Sequence, residues 1–149
     1  MKKRILTLAM IISLVFAGAA FASMDVSFPV AGGPSMVIQI HWTADASGNV
    51  TTEQINGERN YRGGYLTHVT TKPGDTAPTA NYDITISMNG QNDILGGALN
   101  NRSATATEVV SVMDTFNSYI PIDWNVTIAI TGNSVANADG YIWLQLVSY

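Results

Sequence analysis

His41 and His68 are the only histidines of this 149-residue chain, and each falls in a run that alternates like a β-strand. Brought together with a carboxylate they could ligate zinc, but a structural site takes four ligands and the chain has no cysteine to offer. A Ser-His-Asp arrangement need not be local in sequence. Even so, no G-x-S-x-G elbow occurs, and Gly132-Asn133-Ser134-Val135-Ala136 reads as a polar loop. The carboxylates could supply a glycosidase pair, a matter of measured separation for which no spacing rule exists. The expectation is a non-enzymatic protein with no catalytic residues.

Ligand binding has more to work with. Asn89, Gln91 and Asp93 place oxygens at alternate positions as a calcium loop would, but an EF-hand needs Gly at Ile94 and Glu at Asn100. A looser calcium site among Asp45, Ser47 and Asn49, or near Asp139, is the one cofactor the residues admit. The plainer alternative is Asx-turn chemistry, in which these side chains bond their own backbone. Gly63-Gly64 and Gly96-Gly97 are isolated pairs, suited to bulges or turns rather than to a phosphate cradle. Trp42, Trp124 and Trp143, with Tyr61, Tyr65 and Tyr141, could form a sugar-binding platform. Each Trp shares its strand position with aliphatics, which favours core packing.

The elements that must position these residues are strands. Met36, Ile38, Ile40 and Trp42 alternate with Val37, Gln39, His41 and Thr43, and Tyr82, Ile84, Ile86 and Met88 alternate with Asp83, Thr85 and Ser87. The second run ends at Asn89-Gly90, a pair suited to a type I′ turn because both central residues there need φ > 0. Trp124, Val126, Ile128 and Ile130 form another stripe. Tyr141 to Val147 is apolar on both faces and reads as an interior strand, joined to the preceding one by a polar hairpin loop from Gly132 to Gly140. Val50 to Ile55 and Tyr65 to Thr71 are further strands, and Lys72 to Pro78 is a loop. Thr105 to Phe116 is ambiguous: Val109, Val112, Met113 and Phe116 share a helical stripe, but the β-branched content argues equally for a strand. Strands about ten residues apart with turns between them imply an all-β antiparallel sandwich, with a jelly-roll or small barrel as variants and one short helix possible.

Residues 1–22 read as a secretory signal: Lys2-Lys3-Arg4, an apolar run from Ile5 to Ala17, and an Ala20-Phe21-Ala22 cleavage site. The expected mature chain is a single domain over 23–149, periplasmic or extracellular, with no membrane anchor after cleavage. Without Lys2, Lys3 and Arg4 the net charge falls from −4 to −7. A chain that acidic has no basic face for a phosphate backbone, so nucleic acid is excluded as a partner. Tyr141, Trp143, Val147 and Tyr149 share a face, as at the end of an outer-membrane barrel strand. Ile142, Leu144 and Leu146 would then line a lumen that should be polar.

The first mature segment alternates Met24, Val26, Phe28 and Val30 with Asp25, Ser27 and Pro29, ahead of Ala31-Gly32-Gly33-Pro34. Such a strand can close its own sheet or add to a neighbour's, so these four residues are a candidate assembly strand.

Several phrases together resemble a group of small phage and prophage proteins of virion-associated type. They are Gly63-Gly64-Tyr65-Leu66, Ala77-Pro78-Thr79-Ala80-Asn81-Tyr82-Asp83-Ile84-Thr85, Asp93-Ile94-Leu95-Gly96-Gly97-Ala98-Leu99, Asn101-Arg102-Ser103 and the segment after Gly132-Asn133-Ser134. The resemblance runs from about Ile38 to Val147 and implies a structural β module without catalytic motifs. The leader departs from that pattern, because virion parts assemble in the cytoplasm, and so points to an exported relative. The combined expectation is an exported structural or surface-assembly subunit acting by protein–protein contact or self-association. A carbohydrate- or calcium-binding module is the alternative, and a small outer-membrane barrel or a hydrolase comes third.

Overall fold

The computed structural model describes residues 21–30, 34–56, 64–122 and 125–148. The expected leader up to Ala20, together with Tyr61, Trp124 and Tyr149, lies outside them. Nine strands and one short helix follow in order: β1 (Ser23–Val30), β2 (Ser35–Thr43), β3 (Glu53–Asn56), β4 (Gly64–Pro73), β5 (Asp83–Met88), β6 (Glu108–Ser111), α1 (Val112–Phe116), β7 (Ile120–Ile122), β8 (Asn125–Thr131) and β9 (Asp139–Val147). They form two antiparallel sheets. The larger runs β1-β2-β9-β4-β6, with β7 also on β4, and the smaller runs β3-β8-β5. Each sheet has free ends, so the fold is an all-β sandwich and not a closed barrel.

Alternation accounts for the core. The inward residues Ile38, Ile40 and Trp42 of β2 and Ile142, Leu144 and Leu146 of β9 meet Ile84 and Ile86 of β5 and Val126, Ile128 and Ile130 of β8. Trp42 and Tyr82 join the layers, with ring centroids 5.7 Å apart at 53°. β9 lies between β2 and β4, as its two apolar faces lead one to expect. In β4 the register shifts between Leu66 and His68. Thr67 is the extra residue, so the buried positions step from Leu66 to Val69 and the alternation in sequence breaks.

Burial of Tyr82 has a measurable consequence. Desolvation pushes its hydroxyl up to about 12; Glu108 adds to the shift and Arg102 opposes it. The unfolded chain therefore ionises first as pH rises. Tyr82 should contribute full stability below pH ~10 and lose about 2–3 kcal/mol of it by pH ~12. Urea titrations across that range should show the decline, and Tyr82→Phe should flatten it. An equal decline in the variant would assign the effect elsewhere.

Two expectations need correction. The connection from Gly132 to Gly140 is not a hairpin, because β8 pairs with β3 and β5 whereas β9 pairs with β2 and β4. The chain crosses between layers there, held by Asn133 Nδ2 donating to Gly48 O (2.8 Å) and Asn137 N–H donating to Asp45 O (3.0 Å). The predicted strand over Val50–Ile55 is shorter, since β3 begins at Glu53. The ambiguous segment divides in two. Glu108–Ser111 pairs with β4, then the Ser111 hydroxyl accepts from the Asp114 N–H (3.4 Å) and caps α1. Asn117, left-handed at φ 52°, ends the helix by donating its N–H to Met113 O.

The sheet edges are finished differently. β5 turns at Asn89 (φ 52°) and Gly90 (φ 70°), with Gln91 N–H donating to Met88 O. The return over 91–102 forms no strand but still covers the β5 edge. Ile84 N–H donates to Leu99 O, Ile94 N–H to Ile86 O and Arg102 N–H to Tyr82 O. At the far end of the larger sheet, β1 pairs with β2 alone among the described strands.

Candidate functional site

The outer face of the larger sheet gathers the polar and aromatic side chains that alternate with the core. Register places Asp25, His41, Tyr141 and Lys72 in one row across β1, β2, β9 and β4, and Ser27, Gln39, Trp143 and Thr70 in the next. His41 stacks on Tyr141 with centroids 4.5 Å apart at 18°, and Tyr141 stacks on Trp143 at 5.5 Å and 14°. These are offset, near-parallel ring pairs. Trp143 Nε1 donates to Gln39 Oε1 (3.1 Å).

His41 Nε2 lies 3.4 Å from Asp139 Oδ2, and the other carboxylate oxygen of Asp139 accepts the Thr76 N–H (2.8 Å). Gly74 makes room for that carboxylate, because a Cβ there would collide with it. Of the three Trp proposed as core or platform, Trp42 is wholly buried and Trp143 is half-buried on the outer face.

His68 is on the same face but opposite Gln145, separated from His41 by β9. The two histidines therefore do not converge, and among the described residues no three of His, Cys, Asp and Glu gather as a metal site would require. The carboxylates offered for calcium accept hydrogen bonds from the chain itself. Asp45 Oδ1 accepts the N–H groups of Ser47 (2.7 Å) and Asn49 (2.9 Å), which is the Asx-turn alternative. The Asn49 backbone bond leads in holding the Asp45 carboxyl below its ordinary value. Asp93 accepts from Ile86, Leu95 and Gly97. Among the described residues, an open hollow of about 500 Å³ beside it is lined by Gly90 to Ile94.

A second surface lies at the β6–α1–β7 edge. Of the six large hydrophobic side chains exposed among the described residues, four fall between positions 109 and 119: Val109 (61 %), Met113 (42 %), Phe116 (36 %) and Tyr119 (46 %). The helical stripe read from the sequence is thus divided, with Val112 buried beneath and Met113 and Phe116 turned outward, one turn apart. Sequence reading marked these residues only as ambiguous structure; Tyr119 and the exposure of the group went unnoticed.

The candidate assembly strand is β1. Met24, Val26 and Phe28 are half-buried and pack against the core, and Val30 pairs with Val37 after a bulge. The edge of β1 away from β2 carries no other strand among the described residues. The same residues therefore complete their own sheet and leave its edge open.

No protein-family model, curated protein or solved structure matches the chain. Among the described residues no helix is long and apolar enough to cross a membrane.

Proposed function

We propose that this protein is an exported, non-enzymatic β-sandwich that acts by protein–protein contact, as a structural or surface-assembly subunit. The observation that carries the reading is the apolar cluster of Val109, Met113, Phe116 and Tyr119. Scattered exposed hydrophobics are ordinary, but four of them within residues 109–119 concentrate apolar surface at the β6–α1–β7 edge, as protein contacts do. Aromatic side chains and Met are also enriched at such contacts. The open edge of β1 offers a further means of attachment through main-chain hydrogen bonds. The resemblance to virion-associated β modules agrees with a structural role, and the leader with export.

Light scattering after size exclusion on residues 23–149, over a concentration series, tests the reading. The expected result is a species larger than the monomer at high concentration. The double substitution Met113→Lys, Phe116→Lys should return it to monomer with a melting temperature within about 2 °C of the parent, since exposed surface changes cost little. A strict monomer at all concentrations would remove self-assembly. Phe28→Asp has a different expected outcome: it should destabilise the monomer itself, because Phe28 packs on the core.

A further inference from the structure

We infer that the outer face of the larger sheet is a binding site for a neutral polysaccharide, centred on Trp143 and its neighbours on β2 and β9. The apolar edge adjoins this site at Val109, which pairs with Thr70 in the Trp143 row, but the chemistry of the two surfaces differs. The edge presents aliphatic and aromatic groups that suit a protein. The sheet face sets rings among amides: Gln39 and Gln145 carry both donors and acceptors, and Lys72 adds a cation. A pyranose has a C–H face and a rim of hydroxyls, so it needs a ring to stack on and amides within reach of the rim.

The placement of Trp143 supplies both. Tyr141 covers one face of its indole. Along β9 the next outward residue on the other side is Gln145, which is exposed. A sugar stacked on the indole face turned toward Gln145 is therefore beside an amide. Across the sheet, Gln39 accepts from the indole N–H through Oε1, leaving its amide nitrogen to donate to a hydroxyl.

The rings are also held before any ligand arrives. His41 is fixed by Asp139, which Thr76 fixes in turn; Tyr141 is stacked between strands on His41, and Trp143 on Tyr141. Pre-set rotamers spare the ordering cost of binding. The rings and amides run along and across neighbouring strands, an arrangement that suits an extended chain or an insoluble surface. Charge selects among polymers: at a net −7 for residues 23–149, acidic polysaccharides are repelled and neutral ones are not.

The experiment is depletion of the purified protein from solution by four insoluble neutral polysaccharides, namely cellulose, chitin, xylan and β-1,3-glucan, with alginate as the acidic comparison. The parent should bind at least one neutral polymer and not alginate. On that polymer Trp143→Ala should weaken binding tenfold or more. Gln145→Ala, at an exposed position that leaves the fold untouched, should weaken it about threefold. The Met113→Lys, Phe116→Lys variant should bind as the parent does, which keeps the failure of the assembly reading distinguishable from the failure of this one. Failure to bind any of the four neutral polymers, or undiminished binding by both Trp143→Ala and Gln145→Ala, would overturn the inference.

Discussion

Substituting alanine for Gly140 is expected to lower the melting temperature by about 10 °C, and valine should prevent recovery of folded protein. Gly140 is directly opposite Trp42 in the β2–β9 ladder, and the indole lies over its backbone. A Cβ there would stand 2.8 Å from three atoms of the indole, Cε2, Cζ2 and Nε1. The ring has little room to retreat, because it is wholly buried and packs against Tyr82. Overpacking of this kind costs about 1–3 kcal/mol, and more where neither partner can move. In a domain of this size about 3 kcal/mol corresponds to roughly 10 °C. Thermal unfolding followed by near-ultraviolet circular dichroism reads both stability and the Trp42 environment. A Gly140→Ala protein that melts within 2 °C of the parent would show that the sheets separate more easily than this packing implies.

Asp93→Ala should cost at least as much by a different route. One carboxylate organises the return that covers β5: Oδ1 accepts from Ile86 (3.2 Å) and Leu95 (3.1 Å), and Oδ2 accepts from Gly97. Alanine strands three backbone N–H groups, and each unpaired buried donor costs about 1–3 kcal/mol. The three share one loop and will not add fully, so a loss of about 3–5 kcal/mol is expected. Asparagine keeps one acceptor oxygen and should lose about half as much. Hydrogen exchange distinguishes this from general loosening: amide protection at Ile84 should fall first, since its partner, Leu99 O, lies on the detached return. The freed edge of β5 should then promote aggregation on warming. Unchanged protection at Ile84 in the alanine variant would mean that the return is held by Leu95 and Leu99 in the core rather than by the carboxylate.

Asp93 also marks where sequence reading reached its limit. Its spacing with Asn89 and Gln91 suggested cation chemistry, whereas its oxygens serve backbone amides. A sequence shows that an acid is near a turn but not which donors curl round it. Strand alternation was far more legible, because burial on one face leaves a period of two. β2, β5, β8 and β9 could be read that way, and the two apolar faces of β9 placed it inside a sheet. β4 was harder, since one bulged residue, Thr67, reverses the phase halfway along. Which sheet each strand joins was not legible at all. The loop after Gly132 has hairpin composition, yet its polar residues bond to the 45–49 turn and carry the chain across to the other layer. The aromatic row was half visible: Tyr141 and Trp143 show in the sequence as neighbours on one strand face. The third ring comes from His41, which register alone brings beside them.

The position of β9 has a consequence in time. It is the last strand described, and it is the centre of the larger sheet, so β2 and β4 have no contact ladder with one another until it arrives. A chain synthesised only as far as residue 138 can pair β1 with β2 and β6 and β7 with β4, but the two halves of that sheet stay unjoined. Pairings this distant in sequence form slowly and late. The nascent polypeptide therefore lacks the strand that joins the two halves of the larger sheet until Val147 has emerged, and that sheet is completed last.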